Sequence, residues 1–248
     1  MAESNRYGRL NVLKKTGNDR TIVGKTSYKN EKPAYAGFYN LYGKRVLDVV
    51  VAGSVVMLTW PLYGIIGIAI VAEDGFPIFY RAERGGYKGK PFKICKFRTM
   101  VKNADQIGGG TTARHDSRIT RVGDILRKTK LDEIPQFLQV LTGQMSVIGP
   151  RPELLQYTNQ YNEEEQIIFE VRPGITDYSS LKFINLDEIV GSEDADQVYE
   201  QKVLHEKNRL RMQYAREVSF RADCRIFAMT IIKVLKKGGD YLILKKHR

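Results

Sequence analysis

Two adjacent acids, Asp132 and Glu133, are the residues of this chain best suited by type and spacing to do chemistry. They stand in the stretch RKTKLDEIPQF, between a basic cluster and Pro135. Proline is favoured in the first turn of a helix, so both carboxylates are expected at or just before a helix N-terminus. Neighbouring residues on a helix point about 100° apart and cannot grip one group as a matched pair. The acids are therefore expected either to do two separate jobs or merely to complement the helix dipole.

Basic residues accompany these acids along the sequence. Arg127 precedes them, Arg151 follows in GPRP, and Lys96 and Arg98 lie in KICKFRTM. A carboxylate does not attack a phosphate unaided, because both are anions. An opposite charge at about 4 Å contributes about 4 kcal/mol at an effective dielectric of about 20. Since arginines and a divalent cation supply such charge, the pattern indicates phosphoryl transfer.

Composition narrows the class of protein. The chain has 248 residues, 42% of them hydrophobic, which is enough for a real core and excludes a disordered chain. Cys95 and Cys224 lie far apart and the three histidines are scattered, so neither a disulfide framework nor a zinc site is indicated. The formal charge of +12 favours a polyanionic partner: nucleic acid, a phosphorylated substrate or a membrane surface.

The chain divides into three parts. Residues 1–40 form a polar basic tail, residues 41–75 an apolar segment, and residues 76–248 a catalytic domain. Residues 49–72 carry no charge, a run of 24 that exceeds the roughly 20 residues needed to cross a bilayer. Pro61 near its middle predicts a bend, and both flanks are basic, so a re-entrant helix-break-helix with both ends on the cytoplasmic side is favoured. A buried core helix and a single span remain alternatives.

The remaining pattern predicts an α+β fold that is mainly helical. PIFYRAERGGYKGKPFKICKFRTM alternates apolar and polar residues around a Gly-rich turn and predicts a small β-hairpin. RITRVGDILRKTK predicts an amphipathic basic helix for an anionic surface, or the solvated face of an ordinary helix. A short helix is predicted over residues 134–141, ending near Gly143, and further helices over 197–214 and 219–237.

Three motifs in this order carry a family resemblance. KICKFRTM, DSRITRVGDILRKTKLDEIPQFLQVLTGQMSVIGPRPE and RPGIT follow an apolar segment with basic flanks. The chain resembles the bacterial sugar transferase family, the monotopic phosphoglycosyl transferases, from about Tyr42 to its C-terminus. The resemblance implies transfer of a sugar 1-phosphate from a UDP-sugar to polyprenol phosphate with release of UMP, as the initiating step of bacterial glycoconjugate, capsule or exopolysaccharide assembly.

The resemblance also implies roles for single residues. Asp132 is implied as the nucleophile that forms a phosphosugar ester beside a bound Mg²⁺, and Glu133 as the group that assists the metal or deprotonates the lipid phosphate. The phosphate-facing candidates are Lys96, Arg98, Arg127, Arg151 and, more weakly, Arg172. The expected location is the cytoplasmic face of the bacterial inner membrane. A homo-oligomer is compatible with the sequence, and nucleic acid is not an expected partner.

Two differences from the family pattern limit what the resemblance implies. Trp60 stands before Pro61 where many members have serine, and DYSSLKFIN after RPGIT lacks an arginine found in many members, which leaves sugar recognition open. Two other classes also stay open. One is a non-catalytic membrane-surface protein that binds anionic lipid or nucleic acid, and the other is a soluble enzyme whose apolar run is a core helix.

Overall fold

The computed structural model describes residues 33–113 and 116–246 of the chain. Helices dominate, and the strands are few and short, so the predicted mainly helical α+β class is confirmed. The α-helices are α1 (Lys44–Asp74), α2 (Ala104–Ile107), α3 (Arg121–Thr129), α4 (Gln136–Leu141), α5 (Leu155–Thr158), α6 (Tyr178–Lys182), α7 (Leu186–Val190), α8 (Ala195–Val198), α9 (His205–Glu217) and α10 (Phe220–Lys246). Short 3₁₀ segments lie at Ala34–Ala36, Tyr87–Gly89, Leu131–Glu133 and Glu165–Glu170, and π-helical segments at Tyr39–Gly43 and Tyr199–Leu204.

Two small sheets complete the described part of the chain. Strands β1 (Phe79–Arg84) and β2 (Phe92–Phe97) pair antiparallel, with Phe79 opposite Phe97, which confirms the predicted hairpin. Strands β3 (Ser146–Ile148) and β4 (Gly174–Thr176) pair in parallel. A side-chain Cβ at Gly174 would lie 2.1 Å from the backbone nitrogen of Gly149, so only glycine permits this close approach of the two chains.

The apolar segment forms the long helix α1. Together with the π-helical turn before it, the helix runs over Tyr39–Asp74 and is long and apolar enough to cross a membrane by length and composition. Pro61 lies inside α1, which continues through it rather than dividing into two separate helices. Both ends pack on the rest of the protein: Asp48 and Ala52 are buried near the start, and Ile66 and Ile70 near the end. The re-entrant topology stays a prediction at this point.

The N-terminal boundary of the folded part lies earlier than the sequence indicated. Residues 33–40 were assigned to a polar tail, but Asn40 is buried and the Tyr39 hydroxyl donates a hydrogen bond to Asp223 Oδ2 at 2.7 Å. Residues 33–40 therefore belong to the packed structure, because their aromatic side chains cover α10 and the core. Residues 1–32 of the predicted tail lie outside the described residues.

Two apolar clusters hold the elements that matter for the acids. One joins the start of α1, β3 and α10 around Val140, Met145 and Ile226. The other joins the end of α1 to β2, α3 and the turn before α4, through Phe97 and Ile134. The acidic pair at 132 and 133 therefore lies between the two clusters, on a segment that both of them fix.

Candidate active site

The backbone between α3 and α4 places the two acids. Thr120 caps α3, where its Oγ1 accepts a hydrogen bond from Gly123 N at 2.9 Å. The helix ends at Lys130, whose left-handed backbone (φ 62°, ψ 14°) turns the chain into the 3₁₀ segment Leu131–Glu133. Pro135 then precedes the first residue of α4. The acids lie just before a helix N-terminus, as predicted.

Asp132 is buried, and one of its carboxylate oxygens lacks a hydrogen-bond partner among the described residues. Its side chain is only 7% exposed, and its Oδ1 atom has no hydrogen-bond partner among the described residues. Burial, and then the neighbouring Glu133, raises the pKa of Asp132, while Lys96, Lys130 and Arg127 oppose that rise. A buried carboxylate oxygen without a donor is costly and uncommon. It is therefore a candidate to bind or attack something that the protein alone does not contain.

Glu133 has the opposite environment although it is equally buried. Arg151 grips it with both guanidinium nitrogens: Nη1 donates to Oε2 at 2.9 Å and Nη2 to Oε1. Lys96 Nζ adds a third bond to Oε1 at 3.3 Å. Burial alone would raise the pKa of Glu133, but Arg151 and Lys96 hold it well below its usual range. Glu133 is therefore a stable anion and a weak base.

The two cations that hold Glu133 are themselves fixed. Arg151 Nη1 also donates to the carbonyl of Ile175 at 2.6 Å, and its backbone nitrogen donates to Asp177 Oδ2 at 3.2 Å. Burial lowers the pKa of Lys96 to about 8, although Glu133 opposes that shift. Fixed positive charge therefore lies beside Asp132, whose Oδ1 has no hydrogen-bond donor among the described residues. This arrangement is suited to phosphate chemistry.

A single open cleft of about 1550 Å³ joins most of the predicted site residues. The predicted residues that line it are Lys96, Arg98, Arg127, Asp132, Glu133 and Arg151. Arg127 Nη2 donates to Thr112 Oγ1 at 2.7 Å across this cleft. Arg98 has a different visible role, because its Nη2 donates to the carbonyls of Asp74 and Gly75 at 3.1 and 2.5 Å and so fixes the end of α1. Its Nη1 atom is buried without a partner.

Arg172 is the predicted substrate residue that the structure does not bring to the cleft. Its Nε donates to the carbonyl of Gly143 at 3.2 Å, and its guanidinium lies 5.0 Å from the centre of the Tyr87 ring. A cation held over an aromatic face next to a helix C-terminus has a structural role of its own. Arg172 therefore has partners outside the cleft, and its role toward a phosphate stays a prediction.

Sequence reasoning missed other charged residues of the cleft. Lys130 lines it two positions before Asp132, and Arg84, Glu153 and Lys207 line it farther along. Lys130 could have been noted as the last basic residue of RKTK directly before the acids. The grouping of Glu153 with Lys207 carries no local signal, because these residues are distant in sequence and meet only in the fold.

The residues present fit a magnesium ion that is shared with a substrate. Among residues 33–113 and 116–246, no group of three or more His, Cys, Asp or Glu side chains could hold a metal without help. Mg²⁺ commonly binds through one or two carboxylates plus substrate phosphates. Asp132 Oδ1 offers one free oxygen of the right kind, whereas both oxygens of Glu133 are engaged by Arg151 and Lys96.

The fold and the cleft together define a class: a helical protein with one long apolar helix and a basic cleft around a pair of acids. A profile of the bacterial sugar transferase family matches residues 39–237. The chain belongs to the bacterial sugar transferase family. The resemblance seen in its motifs is thereby confirmed.

Named relatives agree with this membership. The UDP-glucose:undecaprenyl-phosphate glucose-1-phosphate transferase of Escherichia coli (strain K12) is 35% identical over 202 residues, which cover 80% of this chain and 41% of that protein. The protein of the same name from Caulobacter vibrioides is 33% identical over 201 residues, 80% of this chain and 72% of that protein. The UDP-N-acetylgalactosamine-undecaprenyl-phosphate N-acetylgalactosaminephosphotransferase of Aeromonas hydrophila is 37% identical over 141 residues, 56% of this chain and 33% of that protein. The chain thus matches less than half the length of the E. coli relative.

Proposed function

We propose that this chain is a phosphoglycosyl transferase. It transfers a sugar 1-phosphate from a UDP-sugar to a polyprenol phosphate such as undecaprenyl phosphate, releases UMP, and so initiates assembly of a bacterial glycoconjugate, capsule or exopolysaccharide. One observation carries the proposal. Among the described residues, Asp132 has a buried oxygen without a hydrogen-bond partner, beside a Glu133 that Arg151 and Lys96 already pair with. The names of the relatives agree with this donor and this acceptor.

The reaction proceeds in two displacements. In the first, an Asp132 carboxylate oxygen bonds to the sugar-bearing phosphorus of the donor, and the bond from that phosphorus to the bridging oxygen breaks, so UMP leaves with the electron pair. In the second, an oxygen of the polyprenol phosphate bonds to the same phosphorus, and the bond to Asp132 breaks. Covalent catalysis lets one cleft serve first a water-soluble donor and then a lipid acceptor.

The opposite pKa shifts of the two acids favour different roles for them in the reaction. A carboxylate whose pKa is raised is the stronger nucleophile once ionised, which suits Asp132. Glu133 was implied either as a base or as a group that assists the metal, and its lowered pKa favours the second role. Lys96 and Arg151 offset the repulsion between the attacking carboxylate and the donor phosphates.

Mg²⁺ is the proposed cofactor. When bound, it neutralises phosphate charge and so makes the sugar-bearing phosphorus easier to attack. Asp132 Oδ1 would hold it together with phosphate oxygens of the donor, and Glu133 would add negative charge behind Asp132. Reversible loss of activity on chelation is the expected result.

We further propose that α1 is re-entrant and that the catalytic part lies on the cytoplasmic face of the inner membrane. Arg45 donates to the carbonyl of Leu141 at 2.7 Å, and Tyr63 Oη donates to that of Ile134 at 3.1 Å. The two anchors lie about 27 Å apart along a straight helix, whereas their acceptors, Ile134 and Leu141, lie close together at the start and end of the segment that contains α4. A bend near Pro61 would reconcile the two spacings.

Labelling with thiol reagents tests this topology. Single cysteines at Ser4 and Ser219, in a background with Cys95→Ser and Cys224→Ser, are treated in intact cells with an impermeant reagent. Both positions should stay unlabelled until the cells are lysed. Labelling of position 4 in intact cells would establish a true span and end the re-entrant proposal.

Donor-only turnover tests the proposed reaction. With a UDP-sugar and no polyprenol phosphate, the protein should release about one UMP per active site and retain a labelled phosphosugar on Asp132. A screen of UDP-sugars by UMP release would also identify the sugar. UMP release that strictly requires polyprenol phosphate would favour direct transfer instead. A protein that releases no UMP with any donor, yet binds anionic vesicles, would support the non-catalytic membrane-surface alternative.

A further inference from the structure

Several cations of the cleft form no ion pair among the described residues, and two of these, Arg127 and Lys130, lie just before the acidic segment. Lys237 of α10 also forms none, and it borders the cleft through its contact with Ile184. Lys96 and Arg151, by contrast, are both paired with Glu133. Lys130 lies two residues before Asp132, and the fixed left-handed turn of its backbone holds it at the junction of α3 and the acidic segment. The cations that contact Glu133 are therefore paired, whereas Arg127 and Lys130, which precede the acids in the chain, form no ion pair among the described residues.

Lys237 brings the last helix to these unpaired cations. Its Nζ donates to the carbonyl of Ile184 at 2.9 Å, and α10 packs against α3. Burial, followed by the like charge of Lys130, lowers the pKa of Lys237; Arg127 acts in the same direction, and two acids of α7, Asp187 and Glu188, oppose it. Lys237 therefore lies where α10 meets α3, beside Ile184, which itself lines the cleft together with Arg127 and Lys130. A group of cations without ion-pair partners is expected where an anion binds.

The same opening has an apolar rim. Ile125 of α3 is 40% exposed and lines the cleft, Val234 of α10 also lines it, and Leu235 beside it is 69% exposed. The rim begins where the apolar helix α1 ends, because the Glu73 carboxylate accepts hydrogen bonds from the first two backbone nitrogens of α3 at 2.8 and 2.9 Å. Positive charge and exposed apolar side chains therefore meet at one opening, on a helix whose first turn is bonded to the end of α1.

We propose that the opening where α10 packs against α3, lined by Ile125 and Val234 and here called the α3–α10 mouth, is where the lipid acceptor enters the cleft. Arg127, Lys130 and Lys237 bind the terminal phosphate of polyprenol phosphate, and Ile125, Val234 and Leu235 contact its first isoprene units. The assignment rests on the proposed function, and it leaves Lys96 and Arg151 for the donor.

The charge of the ligand favours polyprenol phosphate over a bilayer phospholipid. A phosphate monoester carries about −1.5 to −2 charges at neutral pH, whereas a phospholipid diester carries only one. Three cations without counterions match the more highly charged group. Lys130 also places that phosphate close to Asp132, where the second displacement requires it.

Photocrosslinking tests the mouth directly. The full chain in nanodiscs is irradiated with a diazirine-bearing polyprenol phosphate, and the labelled peptides are identified by mass spectrometry. Label is expected on α3 and α10, with at least a fivefold loss in Lys237→Gln and recovery in Lys237→Arg. Lys236→Gln is the matched control, because Lys236 is an exposed neighbour on the same helix. Unlabelled undecaprenyl phosphate should compete, and phosphatidylglycerol should not.

Several outcomes would overturn the assignment: label elsewhere, equal loss in both lysine variants, or competition by phosphatidylglycerol. Steady-state kinetics supply a second readout, in which Lys237→Gln should raise the KM for polyprenol phosphate about tenfold more than the KM for the UDP-sugar. Specific labelling without any UMP release would retain the lipid site and reject the proposed reaction. Normal turnover with label outside α3 and α10 would retain the proposed reaction and reject the lipid site.

Discussion

Two buried carboxylate clusters lie along the cleft, one around Glu133 and the other around Glu153. The two glutamates are almost equally buried, with side-chain exposures of 12% and 11%, and each pairs with an arginine. Opposing arginines lower the pKa of both against the effect of burial, that of Glu153 to about 2. The clusters differ in what surrounds the ion pair.

Around Glu153 the carboxylate is satisfied by the protein alone. Its Oε2 accepts hydrogen bonds from Tyr199 Oη and from Arg211 Nη2, the latter at 2.8 Å, and its Oε1 accepts from Leu154 N at 3.2 Å. Beside Glu133, in contrast, stands a second buried acid whose Oδ1 has no donor among the described residues. A buried carboxylate with donors on both oxygens is a structural element, even though Arg211 Nε has no partner among the described residues. A buried acid with an unpartnered oxygen is better explained by function.

Asp132→Asn should have the largest effect. The amide cannot form the acyl phosphate, so turnover should fall at least about 10⁴-fold. Stability should be unchanged or higher. A carboxyl whose folded pKa is raised opposes folding once pH exceeds its unfolded pKa of 3.8, and the amide removes that charge. Thermal unfolding in detergent at pH 7 and UMP release check both parts, and a lower melting temperature would assign Asp132 a structural role.

Glu133→Gln should come next and should affect activity and stability together. Turnover should fall about 10²-fold, because Glu133 would no longer support the metal that Asp132 is proposed to hold. Arg151 and Lys96 would then lack their buried counterion, at a cost of about 3 kcal/mol.

The pH dependence of that stability loss has a defined sign. A lowered folded pKa contributes stability above the unfolded pKa of 4.5, and this contribution is lost as pH falls further. The difference in melting temperature between wild type and Glu133→Gln should therefore shrink below about pH 4.5. Glu170→Gln is the control, since its ion pair with Lys88 is exposed. A melting temperature equal to that of the wild type at pH 7 would contradict the pairing.

Arg211→Met should destabilise the protein while leaving the chemistry of the folded fraction intact. It leaves Glu153 buried beside a hydrophobic chain, which should cost about 3 kcal/mol of unfolding free energy. That cost should disappear between about pH 4.5 and pH 2, the range over which Glu153 takes up its proton when Arg211 is present. Arg209→Met on the same helix is the control, because Arg209 is exposed. A specific loss of turnover per folded molecule would place the Glu153 cluster in the reaction instead.

Local signals in the sequence predicted the elements that carry the first cluster. Alternation predicted β1 and β2, the apolar spacing of RITRVGDILRKTK predicted α3, and Pro135 placed the acids before α4. The helix ends near Gly143, whose φ of +84° suits the glycine predicted there. The dyad was therefore predictable because the residues that position it lie within about a dozen positions of each other.

Partners distant in sequence could not be predicted in this way. Glu153 and Arg211 lie 58 positions apart, and nothing in either local pattern indicates that they pair. Arg172 follows GPRP in the sequence, but its guanidinium is held by the Tyr87 ring and by the carbonyl of Gly143, which follows α4. The sequence indicated that cations were needed near the acids, because a carboxylate and a phosphate repel each other. Only the packing of α9 and α10 decides which cations face the cleft, and long-range packing leaves little trace in a single sequence.

Tyr199→Phe should give the smallest effect and sharpen the contrast between the clusters. The variant removes one donor from Glu153 Oε2, but Arg211 still donates to the same oxygen. Removing a hydrogen bond to a charged acceptor costs about 1.5 kcal/mol, about half the cost expected for Arg211→Met. Tyr178→Phe is a control, because no hydrogen bond of its hydroxyl is found among the described residues and its ring packs against Tyr214 in a separate apolar cluster. Turnover per folded molecule should stay within about twofold of the wild type, since the Glu133 cluster keeps all its partners. If Tyr199→Phe instead reduced turnover tenfold or more at unchanged stability, the hydroxyl would have to act on the substrate, and the division between a structural and a reactive cluster would be wrong.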